Sequence, residues 1–198
     1  MAEPTGPVAT KGRREFRRVQ RPTDQLPVLH LEAEIPAPKH WFVEISGLVE
    51  VSSVWGLDEI RSLEAERRVW DLHCVWGWCR PACLWEGVPA ARLIDVARPR
   101  AEARFAVASA IEGPYASCLT LQEARESLLA WRMDGQELSP DHGGPLRLVP
   151  PPTKWGYKGI KWIGSITLTD HFSPGFWEEL VGNVHGDIPP EMLELQFE

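Results

Sequence analysis

Short runs of β-branched, aromatic and aliphatic residues, broken by Gly, Pro and Asp, recur along most of the chain, a pattern that favours strands over long helices. Residues 40–47 and 48–55 have this composition on either side of Gly47 and predict a hairpin. Residues 57–66 place Leu57, Ile60 and Leu63 at i, i+3 and i+6, the apolar face of an amphipathic helix. Val69, Trp70, Leu72 and Val75 mark a strand over 68–75 with Cys74 near its end, and Gly77, Pro81 and Gly87 then read as a loop. A helix is predicted over 88–97, with Pro89 in its first turn, where a missing N–H costs little. Strands over 104–110 and 115–119 flank the turn Glu112-Gly113-Pro114, and Thr120 is placed to cap a helix over 121–126. Further strands are predicted over 128–133, 146–149 and 161–170, with turns at Asp134-Gly135 and Gly143-Gly144-Pro145 and a helical turn over 176–180. No repeat is visible and no βαβ period recurs, so the expected fold is α+β: a single domain on a mixed, largely antiparallel sheet with interspersed short helices.

Composition narrows the picture. Residues 1–25 are rich in charge, Pro, Gly and Thr and read as a mobile basic tail, leaving 26–198 as the domain. The chain of 198 residues is long enough for one sizeable core. A net charge of -7 argues against nucleic-acid binding and leaves small molecules and proteins as partners. No run reaches the ~20 apolar residues of a membrane span. Lys11, Arg13, Arg14, Arg17, Arg18 and Arg21 are not followed by the apolar stretch of an export signal, so a cytoplasmic location with reduced thiols is expected.

Candidate chemistry concentrates in residues 68–89, which hold three of the four cysteines, four of the ten tryptophans and His73. Three readings of Cys74 stand at this point. It is a small core residue, or part of a C-x4-C-x3-C metal or cluster site with Cys79 and Cys83, or a single metal-ligating thiolate.

His73-Cys74-Val75 followed by Trp85-Glu86-Gly87-Val88-Pro89 resembles the signature of the molybdopterin-binding domain of the sulfite oxidase superfamily. A second motif carries the same resemblance: Asp141-His142-Gly143-Gly144-Pro145-Leu146-Arg147-Leu148-Val149-Pro150, then Gly156-Tyr157-Lys158-Gly159-Ile160-Lys161-Trp162. The likeness is to small cytosolic members. It implies a molybdenum–molybdopterin cofactor, with Cys74 coordinating molybdenum beside one pterin dithiolene, and oxygen-atom transfer on a small substrate. It further implies that Arg147, Lys158 and Lys161 face the cofactor's phosphate, and that His142 and His30 are further cofactor contacts. Tyr115 is expected on the substrate side, with Trp85 shaping the pocket. Sulfite oxidases gather cations for their dianionic substrate, whereas here Arg80 is the only basic residue close after Cys74, so a neutral S-oxide or N-oxide is the expected substrate. There is no C-x-x-C-H haem motif, so a separate electron-transfer partner is implied. The alternative is a cofactor carrier without turnover.

Overall fold

A computed structural model of the chain describes residues 20–28, 35, 36 and 38–193. In chain order its elements are β1 (Arg21–Pro22), β2 (Phe42–Gly47), β3 (Ser53–Gly56), α1 (Leu57–Ser62), β4 (Glu66–Cys74), β5 (Trp78–Pro89), α2 (Ala91–Val96) and β6 (Phe105–Ala110). They continue as β7 (Ala116–Thr120), α3 (Leu121–Glu126), β8 (Leu128–Met133), β9 (Gln136–Glu137), β10 (Arg147–Val149), β11 (Ile163–Thr169), α4 (Phe176–Val181) and α5 (Pro190–Leu193).

The strands form two sheets. One is ordered β1-β5-β8-β10, with β4 on the other side of β5 and β9 beside β8; the second is ordered β3-β2-β11-β6-β7. Among the described strands only the β1–β5 and β11–β2 pairs are parallel. This is the mixed, largely antiparallel α+β architecture that the sequence predicts, divided between two sheets rather than one. Val43, Ile45, Ala106, Ile166 and Leu168 of the second sheet share one core with Val88, Leu129 and Leu148 of the first, and with Ile60, Leu93 and Ile94 of α1 and α2. The first sheet is also covered on its other face, by a cluster containing Leu26, Leu72, Cys83, Trp85 and Leu128. Among the described residues no helix is long and apolar enough to cross a membrane.

Several predicted elements stand as read: the 42–56 hairpin, strands 105–110 and 128–133, and α3 with its cap. In that cap the Glu123 N–H donates to Thr120 Oγ1 at 3.3 Å, and the Thr120 N–H donates to Glu123 Oε2 at 2.9 Å. Helix α1 stops at Ser62, short of the predicted end, because Glu66 already pairs with Gly87 in β4–β5.

The predicted loop after Cys74 is largely a strand, β5, and each residue that suggested a loop marks an irregularity instead. Gly77, at φ +89°, makes the tight turn between β4 and β5. Pro81 sits where the register shifts opposite Asp71, whose carboxylate accepts the Ala82 N–H at 2.7 Å, so the missing proline N–H falls in a bulge. Gly87 lies at a second register shift, where a Cβ would stand 2.1 Å from the Leu129 carbonyl oxygen. Pro89 ends β5 rather than opening a helix, and α2 begins at Ala91.

Residues 20–25 fall in the stretch expected to be tail, yet they join the sheet. The Arg21 N–H donates to the Gly77 carbonyl and the Thr23 N–H to the Cys79 carbonyl. The Gln20 amide donates to the Cys74 carbonyl at 3.1 Å. The turn that follows Cys74 is therefore held from both sides of the chain.

Candidate active site

A cleft open to solvent is lined by Cys74, Trp76, Trp78, Tyr115, His142, Arg147, Tyr157, Lys161 and Trp177, among others. Five expected residues, Cys74, Tyr115, His142, Arg147 and Lys161, thus meet at one place although up to 87 positions separate them.

Cys74 ends β4 and turns its thiol toward the cleft, while His73 is buried on the other side of the strand, edge-on to Trp155. Burial pushes the Cys74 thiol up to about 11, against a backbone hydrogen bond from Trp76 that lowers it. At neutral pH the thiol of the chain alone is protonated, and a metal arriving there displaces that proton. Cys79 and Cys83 are fully buried in β5 and held up to about 11 and about 12. Among the described residues no three His, Cys, Asp or Glu side chains gather into a metal-holding group. The C-x4-C-x3-C reading therefore fails for these residues, because the three cysteines do not converge.

The second motif builds a cationic wall. A 3-10 turn over Pro140–His142 ends at Gly143, whose φ of +96° lets the chain pack closely over Lys161. Lys161 Nζ donates to the Asp141 carbonyl at 2.6 Å, and the Arg147 guanidinium donates to the His142 carbonyl at 3.1 Å. Burial, and then the neighbouring Arg147 charge, bring Lys161 down to about 7. His142 is lowered by burial, then by Lys161 and Arg147. Arg147 is only 6% exposed and is itself brought down to about 10 by burial. No carboxylate forms an ion pair with it among the described residues, and its Nε has no hydrogen-bond partner there. A buried guanidinium in this state calls for an anion. No acidic side chain lines the cleft among the described residues. The donor set fits a phosphate-bearing cofactor.

Three expected site residues lie elsewhere. Lys158 is fully buried and donates to Glu178 at 2.8 Å, to the Val184 carbonyl at 3.1 Å and to the Cys118 carbonyl, so its charge is spent inside the protein. Trp85 is fully buried beneath the cleft, with the Arg147 guanidinium 5.8 Å from its ring, and supports that arginine without lining the pocket. Arg80 pairs with Asp134 at 2.7 Å and does not reach the cleft. The expectation of Arg80 in the pocket is thereby corrected, while Arg147 and Lys161 stand in the cleft as the second motif implies. His30 lies outside the described residues.

Trp177 and Leu26 also line the cleft, as does Tyr157 from within the second motif, none of them with a role read from the sequence. Trp177 stands 6.0 Å from Trp76 with rings nearly perpendicular, and Phe176 lies behind it at 5.3 Å. Tyr115 packs against Phe176 and Trp162, and burial raises its hydroxyl.

Comparison with known proteins agrees with this geometry. The family described as oxidoreductase molybdopterin binding domain matches residues 30–177. The chain is 33% identical over 173 residues to an uncharacterized oxidoreductase, YuiH, of Bacillus subtilis, covering 85% of this chain and 86% of the relative. It is 34% and 31% identical to the catalytic subunits of the protein-methionine-sulfoxide reductase MsrP of Gluconobacter oxydans and Campylobacter jejuni, over 75% of this chain in both cases. It covers 53% and 55% of those subunits, about half their length. The sulfane dehydrogenase SoxCD of Paracoccus pantotrophus shares the fold, with a TM-score of 0.60 at 19% identity over 66% of this chain and 38% of that one.

Proposed function

Because the chain belongs to the oxidoreductase molybdopterin-binding domain family, we propose that its cleft holds a molybdenum–molybdopterin cofactor and that the protein reduces a small neutral S-oxide or N-oxide. The observation that carries this reading is Arg147, a buried guanidinium that lines the cleft and pairs with no carboxylate among the described residues. Arg147 and Lys161, with His142, would hold the cofactor's phosphate and pterin, and Cys74 would hold the metal as a thiolate once its proton has left. When bound, the cofactor supplies a centre that exchanges two electrons and transfers an oxygen atom.

The remaining roles belong to the chain's own side chains. Tyr115 is neutral at physiological pH and can donate its O–H to the substrate's oxygen. Trp76, Trp78 and Trp177 give the approach to Cys74 apolar walls. With the cofactor's charges on Arg147 and Lys161, the rest of the lining is mainly apolar, which favours an uncharged substrate over a dianion. The reaction takes two electrons and two protons and yields a thioether or amine and water. A separate electron-transfer protein would deliver the electrons. The similarity to methionine-sulfoxide reductase subunits supports the S-oxide over the N-oxide.

The test is metal and pterin analysis of protein made in a host that synthesises molybdopterin, followed by turnover of sulfoxides, N-oxides and sulfite with an artificial electron donor or acceptor. About one molybdenum per chain with sulfoxide reduction is expected. Molybdenum without turnover of any oxide would point to a carrier, and sulfite oxidation alone would overturn the substrate assignment.

A further inference from the structure

We infer that Trp76 and Trp177 form an aromatic gate that selects S-oxides carrying a flat apolar substituent, such as an aryl group, over small ones. This inference rests on the S-oxide reading above and names the part of the substrate that the oxygen chemistry leaves undefined.

The two rings come from unrelated parts of the chain. Trp76 lies in the β4–β5 turn, two residues after Cys74, and Trp177 lies on α4. Their centroids are 6.0 Å apart at 78°, both side chains line the cleft, and Trp76 remains 47% exposed. A tryptophan that only filled the core would be covered far more completely. Phe176 continues the edge-to-face series behind Trp177, and Tyr115 closes it at 6.4 Å from Phe176. The hydroxyl proposed to contact the substrate's oxygen is thus joined to the aromatic wall. A flat substituent laid against the cleft side of this ring pair gains aromatic contacts that an alkyl group of one carbon cannot make.

The wall is also fixed in place, which selectivity requires. Helix α4 has six residues, too few to be stable by itself. Glu178, next to Trp177, is fully buried and anchors the helix. Its carboxylate accepts from Ser117 Oγ at 2.5 Å, from the Cys118 N–H at 3.1 Å, from Lys158 Nζ at 2.8 Å and from the Gly175 N–H at 3.2 Å. Lys158, which does not reach the cleft, is in this way a positioning residue for the gate.

The experiment compares methyl phenyl sulfoxide with dimethyl sulfoxide as substrates of the cofactor-loaded full chain, using a dye donor, in wild type, Trp177→Ala, Trp76→Ala and Trp177→Phe. Wild type is expected to show the lower KM for the aryl compound. Each alanine variant should lower the aryl-to-dimethyl ratio of kcat/KM roughly tenfold, about what one or two aromatic contacts supply, mainly through KM. Trp177→Phe should restore most of the ratio. A second readout needs no turnover: quenching of tryptophan fluorescence when methyl phenyl sulfoxide is added to oxidised protein should weaken in both alanine variants. An unchanged ratio in both alanine variants overturns the gate and leaves S-oxide reduction standing. Wild-type protein that reduces neither sulfoxide overturns the S-oxide reading and the gate with it. If Trp177→Ala fails to fold, the ratio in Trp76→Ala decides.

Discussion

Burying a guanidinium without a counter-charge costs several kcal/mol unless something supplies the missing charge, and among the described residues Arg147 sits in this condition beside Lys161 and His142. A small dianion should therefore stabilise the cofactor-free protein. Sulfate at fixed ionic strength is expected to raise Tm more at pH 6 than at pH 8.5, because Lys161 gains its proton as pH falls through about 7. Arg147→Ala should abolish most of that gain, and thermal unfolding with sulfate against chloride checks it. Lys161 gives a second, opposite-signed expectation. Its folded value of about 7 lies below its ordinary 10.5, so the folded chain holds fewer protons between those limits and stability rises with pH there. The cost of the charged lysine is fully present below about pH 7 and is relieved toward pH 10.5. Lys161→Met should accordingly stabilise the cofactor-free chain at pH 6 and do little at pH 10.5, as denaturant midpoints would show. At the thiols, Cys74→Ser should lose activity and alter the molybdenum spectrum, whereas Cys79→Ser should keep both. The reverse pattern would reassign the ligand.

Among the elements, β5 and the segment from 156 to 181 decide what the sequence could and could not reveal. Gly77, Pro81 and Gly87 signal loops when read locally, yet long-range pairing with β4 and β8 turns each into a turn, a bulge or a close approach. Lys158 and Trp85 show the same limit for side chains. Both stand in motifs whose neighbours line the cleft, but the partners that bury them, Glu178 and Arg147, are 20 and 62 positions away. Alternation along β4 did place Cys74 and His73 on opposite sides, and Thr120 as a cap did define the start of α3. Lys158→Met should lower stability by about 3–5 kcal/mol by leaving Glu178 buried and unpaired. Replacing both residues, Lys158→Met with Glu178→Leu, should recover part of it, as urea unfolding would show. Gly87→Ala should cost about 1–3 kcal/mol through overpacking against Leu129.

Across the whole molecule, the two motifs legible in the sequence, around Cys74 and over 141–162, do come together, and the cleft between them is where sequence and structure agree best. What stayed hidden, Trp177, Leu26 and the clamp from Gln20, comes from segments with no chemical signature, positioned only by tertiary packing. The net charge of -7 describes the surface as a whole, while the cleft has the opposite sign, so overall charge was a poor guide to the ligand. One further consequence lies in the order of synthesis. Trp177 is translated 103 residues after Cys74 (177 − 74), and the buried carboxylate that steadies the cleft's far wall follows directly behind it. A nascent chain halted between Lys161 and Phe176 would already contain the thiol, Arg147 and Lys161, but it would lack the Trp177 side of the cleft. Assembly of the site is therefore a late event in the life of the chain, and insertion of the proposed cofactor would follow translation past residue 178.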